Sequence, residues 1–264
     1  MTDQFRGVAV AAATRAGKLL LEEQGKARQV TKKGEVDLVT EMDRRAERLI
    51  VEMLRSAFPE HSILAEEETR VDGPTPYRWL IDPLDGTTNY AHGFPLFCVG
   101  IALEREGIPL LGVAYDPSRE ELFVAERGRG ASLNGDPIRV SRSPSLNESL
   151  LATGFPYDIR ENARNNLAEY AAFSLRCQGV RRLGSAVLDL SYVAAGRLDG
   201  FWELRLGPWD VAAGALMVEE AGGRVTDVEG GPFSIDKPEI VASNGLIHEE
   251  MVELLREVSR EARP

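Results

Sequence analysis

The sequence predicts an α+β / α/β protein in two closely packed parts, with an antiparallel sheet within residues 1–140 and a mixed sheet within residues 141–264. Three observations carry this expectation. Helical spacing of apolar residues marks the beginning of the chain, a run of strand-like segments fills 61–126, and short apolar runs alternate with helical patterns after 147. No internal repeat or low-complexity tract interrupts the pattern.

Residues 3–24 place Phe5, Val8, Ala12, Ala16, Leu19 and Leu20 at helical spacing, and Gly25 closes the run. A polar loop over 26–39 carries Lys32. Thr40 followed by Asp43 reads as a capping box, opening a helix with Leu49, Ile50, Met53, Leu54 and Phe58 on its apolar face. Pro59 stops it. Strands follow at 63–65 and 77–82, then a meander over 96–103, 109–115 and 121–126 with Gly107 and Pro117 at its turns. Beyond a linker-like 139–147 come strand 148–153, helix 160–175, strand 180–183, helix 185–195 and strand 199–203. Helix 208–221, strands 223–228 and 239–243 and a helix over 246–260 complete the chain.

The chain has 264 residues with 43% hydrophobic and 28% charged content, enough for a sizeable core. A net charge of −11 argues against a nucleic-acid partner, because phosphate backbones need clustered Lys and Arg. No apolar stretch approaches the ~18 residues that would read as a membrane span. Two cysteines, Cys98 and Cys177, make no disulfide framework, and residues 1–7 lack a basic segment leading into an apolar one. The expectation is a cytoplasmic protein without membrane contact. Three scattered histidines, His61, His92 and His248, do not make a zinc site, so any metal should be a hard, oxygen-ligated ion such as Mg²⁺.

The most informative stretch is 79–90, Trp-Leu-Ile-Asp-Pro-Leu-Asp-Gly-Thr-Thr-Asn-Tyr. A buried strand delivers Asp82, and Pro83 is expected to turn the chain before Asp85. Two carboxylates at ~4 Å repel by roughly 4 kcal/mol at an effective dielectric of about 20. No Lys or Arg lies between Arg78 and Arg105 to offset that. Gly86, Thr87 and Thr88 then open a helix whose unpaired N–H groups suit a phosphate. Together these features outline a metal-dependent phosphate enzyme.

Further carboxylates fit that outline. Glu66 is the first polar residue beyond a short apolar strand, where side chains reach a shared crevice. Glu67 and Glu68 read as a solvated face. Asp210 stands in the first turn of a helix begun by Pro208, where it either complements the dipole or serves as a ligand held by close packing through Ala212, Ala213 and Gly214. Trp209 is a candidate core anchor for that turn. Asp43 is either a capping acid or part of the site. Asp37, Asp189 and Asp199 read as turn or surface residues. Glu203 ends a strand of bulky residues and is a candidate substrate contact.

Ala65-Glu66-Glu67, the run from Trp79 to Tyr90, Gly184-Ser185-Ala186 and Pro208-Trp209-Asp210-Val211-Ala212-Ala213-Gly214 together resemble the inositol monophosphatase family, over nearly the whole chain. Residues 85–95 are similar to the bacterial and eukaryotic inositol phosphatases, although Ala65 replaces a glycine common before the glutamate. The resemblance implies a layered αβαβα sandwich, a homodimer, and hydrolysis of a phosphate monoester with two to three Mg²⁺ ions, inhibited by Li⁺. It further implies metal ligation by Glu66, Asp82, the Leu84 carbonyl, Asp85 and Asp210, with Thr87 and Asp43 orienting the attacking water. By the same resemblance Gly86 and Thr87 cradle phosphate, Asp85, Ala186 and Glu203 contact inositol hydroxyls, and Lys32 lies on a loop near the metals. The expected substrate is myo-inositol 1-phosphate. Alternatives are fructose 1,6-bisphosphate or another sugar phosphate on the same fold, and a non-catalytic regulatory binding protein.

Overall fold

A computed structural model describes residues 2–24, 30–32, 38–237 and 239–261. In chain order, α1 (Thr2–Glu23), β1 (Val30–Lys32), β2 (Leu38–Thr40), α2 (Glu41–Ala57), β3 (Ser62–Ala65) and β4 (Arg70–Val71) lead to the long strand β5 (Tyr77–Asp85) and the short helix α3 (Thr87–Ala91). Strands β6 (Cys98–Arg105), β7 (Ile108–Asp116), β8 (Glu121–Glu126), β9 (Gly130–Leu133) and β10 (Asp136–Pro137) follow. The second part comprises β11 (Leu150–Thr153), α4 (Leu167–Ser174), β12 (Gly179–Arg181), α5 (Ala186–Ala194), β13 (Gly200–Leu204), α6 (Pro208–Glu220), β14 (Arg224–Thr226), β15 (Glu239–Ser243) and α7 (His248–Glu261).

These elements form five layers. Helices α1 and α2 pack on one face of an eight-stranded sheet ordered β10-β9-β8-β7-β6-β5-β3-β4. Helices α5 and α6 fill the space between it and a five-stranded sheet ordered β12-β11-β13-β15-β14. Helices α4 and α7 pair with each other, and α7 packs on β15 and α4 on β12. The first sheet is antiparallel except for β3, which runs parallel to β5, a departure from the purely antiparallel expectation. The second is mixed, with β11 parallel to β12 and β13 and β15 antiparallel to its neighbours.

The pleat of β5 decides which residues reach the site. Trp79 and Ile81 join the core under α1 and α2, whereas Leu80 joins the central core with α5 and α6. Asp82 continues the phase of Leu80 and so points toward the α5–α6 layer. α6 lies close enough to α5 that a Cβ on Gly214 would sit 2.4 Å from Leu190 Cβ.

One expected helix is shorter than its apolar pattern suggests. Residues 160–166 do not join α4, because asparagine side chains take over the local backbone donors. Asn162 Oδ1 accepts from Arg164 N at 2.9 Å, and Asn165 Oδ1 accepts from Leu167 N at 3.2 Å. Asn166 takes a left-handed φ of 69° and turns inward. Its amide donates to Thr153 Oγ1 and the Gly154 carbonyl, and its Oδ1 accepts from Trp202 Nε1 at 2.7 Å. That residue ties the ends of β11 and β13 together beside the cleft.

The outer core also contains a titratable group. His248 is fully buried, with Nε2 at 2.9 Å from Thr226 Oγ1 and Nδ1 at 2.9 Å from Ser243 Oγ. Burial first, then Arg224, pushes its pKa down to about 4. The folded value lies below the unfolded one, so this contribution to stability is intact above pH 6.5 and is lost as the pH falls toward 4. At ~1.4 kcal/mol per unit, about 2–3 kcal/mol disappears by pH 4.5. Urea unfolding of wild type and His248→Gln at pH 7.5 and 4.5 should show their stability difference shrinking by that amount. An unchanged difference would contradict the assignment.

Candidate active site

Asp82 and Asp85 reach the same face because β5 carries an irregularity, not the turn expected at Pro83. Asp82 stands opposite Gly100 on β6 and Asp85 opposite Cys98, so three steps on β5 match two on β6. Regular alternation would put Asp82 and Asp85 on opposite faces. The extra residue returns Asp85 to the face of Asp82. Asp82 is buried, and its Oδ1 accepts from Leu84 N at 3.0 Å. Asp85 Oδ2 accepts from Ser185 Oγ at 2.6 Å and Val187 N at 2.7 Å, with Cys98 Sγ at 3.9 Å. Helix α5 thus fixes Asp85 through its N-cap serine and a first-turn amide.

Glu66 enters from β3, where its N–H donates to the Ile81 carbonyl at 3.1 Å and aligns the strand end with β5. The loop behind it hangs on Glu47, a buried carboxylate of α2 that accepts from the amides of Glu67, Glu68 and Thr69 at 2.9, 3.1 and 2.8 Å. Asp210 caps α6 through Oδ2, which accepts from Gly207 N at 2.6 Å. Asp210 thus serves the start of its own helix, and it also lines the cleft. Trp209 is half-buried along the cleft and is not a core anchor.

Glu66 and Asp210 both lie within hydrogen-bonding reach of Asp82. Burial, then Glu66, Asp85 and Asp210, pushes the Asp82 carboxyl well above the usual range. Burial and Asp85 do the same to Asp210. Asp85 rises to about 6 from burial, opposed by its Ser185 and Val187 hydrogen bonds. Among the described residues no three His, Cys, Asp or Glu side chains already stand in a ligand arrangement. Either protons or a cation must offset this concentration of negative charge, and the all-oxygen donor set matches a hard divalent ion.

Thr87 and Asp43 meet below this cluster. Thr87 Oγ1 lies 2.9 Å from Asp43 Oδ1 and 3.0 Å from the Leu84 carbonyl, so its single proton has two acceptors. Asp43 is fully buried on α2 and is more than a capping acid. Gly86, at φ 98°, begins α3 in a conformation that disfavours side chains. The Lys32 backbone lies in β1, but its side chain, like Asp37, falls outside the described residues.

Glu66, Asp82, Asp85, Gly86, Thr87 and Asp210 line a cleft of about 320 Å³. Ala186 at the start of α5 and Glu203 near the end of β13 form part of the same wall. Glu203 is buried against Gly154, where a Cβ would sit 2.1 Å from Oε1. Burial and Asp85 push its carboxyl up to about 8, with Arg182 opposing.

A profile of the Inositol monophosphatase family matches residues 1–260. The chain belongs to the inositol monophosphatase family. A Synechocystis protein named inositol-1-monophosphatase is 47% identical over 250 residues, covering 94% of this chain and 87% of the relative. A Pseudomonas aeruginosa protein named Nus factor SuhB is 49% identical over 246 residues, covering 90% of each. The solved inositol monophosphatase from Anabaena (Nostoc) sp. PCC 7120 superposes with a TM-score of 0.89 at 44% identity, covering 97% of this chain and 96% of its own. The five-layer architecture is thus that of a family of phosphatases.

Several buried groups in and around the cleft leave no local mark in the sequence that assigns them a role. Asp189 is buried on α5 and is neither a turn nor a surface residue, whereas Asp199 does lie in the bend before β13 but is buried there. Asp199 accepts from Ser141 Oγ at 2.5 Å and Leu150 N at 2.6 Å, tying the linker to the second sheet. Asp189 lines the cleft. Ser185 and Gly154 line it too, and Glu47 holds the loop behind Glu66, each through a contact distant in sequence.

Proposed function

We propose that this phosphatase hydrolyses phosphate monoesters of polyols, with myo-inositol 1-phosphate the preferred substrate, in a Mg²⁺-dependent reaction. The observation that carries the reading is the convergence of Glu66, Asp82, Asp85 and Asp210 on one cleft whose wall also bears Glu203. Glu66, Asp82, the Leu84 carbonyl, Asp85 and Asp210 would hold two to three Mg²⁺ ions. When bound, such ions lower the pKa of water and stabilise charge on the attacking and leaving oxygens.

The chain's own residues do the remaining work. Gly86 and Thr87 N–H groups hold the phosphate at the start of α3. Thr87 Oγ1 orients the attacking water, and Asp43 Oδ1 behind it receives a proton through that hydroxyl. Asp85, Ala186 and Glu203 orient the polyol. No side-chain nucleophile is needed, so the reaction passes through no phosphoenzyme. The protein acts as a homodimer in a reducing, cytoplasmic setting, a reading supported by the family and by two free cysteines. No described helix is long and apolar enough to cross a membrane.

A sugar bisphosphate is the second reading, favoured by Arg182 and Arg205 along the same cleft. Arg205 is already paired with Asp158 at 2.9 Å, which weakens it as an anchor for a second phosphate. A phosphate-release screen with inositol 1-phosphate, fructose 1,6-bisphosphate and adenosine bisphosphate decides between them. The highest kcat/KM should fall on inositol 1-phosphate, and preference for either bisphosphate would overturn the substrate assignment.

A further inference from the structure

Asp189 is a buried acid for which the protein supplies no sufficient reason. It sits in the first turn of α5 with 1% of its surface exposed, and its Oδ1 has no hydrogen-bond partner among the described residues. An acid at that position ordinarily complements the helix N-terminus. Here Ser185 already caps α5, its Oγ accepting from Leu188 N at 3.3 Å. The Asp189 backbone N–H is satisfied by the Ser185 carbonyl at 2.9 Å, so the residue is not needed to close the turn either.

Its electrical surroundings are also unfavourable. Burial, then Glu203 and Asp85, raises its pKa well above the carboxylate range, and only Arg182 opposes them. Buried polar atoms without partners are rare in folded proteins, and those that persist call for a functional explanation. Asp189 and Glu203 line the same cleft from adjacent elements, α5 and β13. Two carboxyl groups so placed offer several acceptor lone pairs, and donors as well where protonated. That is the complement of neighbouring hydroxyl groups on one small molecule.

We infer that Asp189 is a specificity-determining residue that, together with Glu203, receives hydroxyl groups of a polyol phosphate on the wall formed by α5 and β13. The inference deepens the functional reading above and rests on it. Asp189 recognises the alcohol portion of the substrate and takes no part in holding the phosphate.

The test compares wild type, Asp189→Ala and Asp189→Asn on inositol 1-phosphate and on p-nitrophenyl phosphate, which has no polyol, with competitive inhibition by inorganic phosphate as a third readout. Asp189→Ala should lower kcat/KM for inositol 1-phosphate by about ten- to a hundredfold while changing p-nitrophenyl phosphate turnover and phosphate inhibition less than about threefold. Asp189→Asn keeps an acceptor and a donor and should recover much of the loss. Thermal stability should not fall in Asp189→Asn, because the amide keeps the side chain's shape and removes the cost of an ionisable group buried without a partner. Equal losses on both esters, or no loss on either, would overturn the inference and leave Asp189 a packing residue. If wild type itself favours p-nitrophenyl phosphate over inositol 1-phosphate, the functional reading fails. If wild type favours inositol 1-phosphate and Asp189→Ala retains that preference, only the inference fails.

Discussion

Replacing Asp82 by asparagine should lower turnover of a phosphate monoester at least about a hundredfold, or ~3 kcal/mol of transition-state stabilisation. Asp82 is the hub of the carboxylate cluster, with Glu66, Asp85 and Asp210 all acting on it. Losing one charge there weakens the holding of a divalent ion and disturbs its geometry together. The same substitution removes repulsion from a buried group. The metal-free variant should therefore unfold at a temperature no lower than metal-free wild type, an exchange of stability for function common at active sites. Steady-state kinetics and thermal unfolding with and without Mg²⁺ check both halves. A folded Asp82→Asn enzyme with wild-type turnover would remove Asp82 from the chemistry.

Glu203→Ala should separate recognition from hydrolysis. Glu203 lies outside the proposed ligand set, at the end of β13, and Gly154 leaves space for its carboxyl group and nothing more. A substrate hydroxyl donating to the Glu203 carboxylate contributes on the order of 1.5–3 kcal/mol. The expected loss in kcat/KM for inositol 1-phosphate is therefore roughly ten- to a hundredfold. p-Nitrophenyl phosphate should be much less affected, and the Mg²⁺ concentration giving half-maximal activity should stay nearly unchanged. Parallel losses on both substrates would place Glu203 in metal binding or folding.

The sequence made the local half of this site legible. The strand into Asp82, the glycine and threonine after Asp85, and Pro208 ahead of Asp210 follow from short-range rules, and the structure contains each feature. The expected turn at Pro83 is instead a register irregularity within β5, visible only once β6 supplies a partner. The expected helix 160–175 lacks residues 160–166, about two turns, because asparagine side chains compete for backbone donors. Buried acids were the harder problem. Glu47, Asp189 and Asp199 look like surface charges along the chain, and each becomes intelligible only through partners or neighbours brought close by folding. Glu47 sits on an amphipathic helix where an acid is ordinarily solvated, and its three amide donors lie 20 to 22 residues away. Gly154 gave no signal either, since its constraint is the Glu203 carboxyl group.

If the carboxylate cluster holds divalent metal, activity must depend on it. Phosphate release from inositol 1-phosphate by protein stripped with EDTA, then titrated with Mg²⁺, tests it most directly. Stripping should abolish activity, and Mg²⁺ should restore it fully and saturably. Undiminished turnover by thoroughly metal-free protein would contradict that dependence.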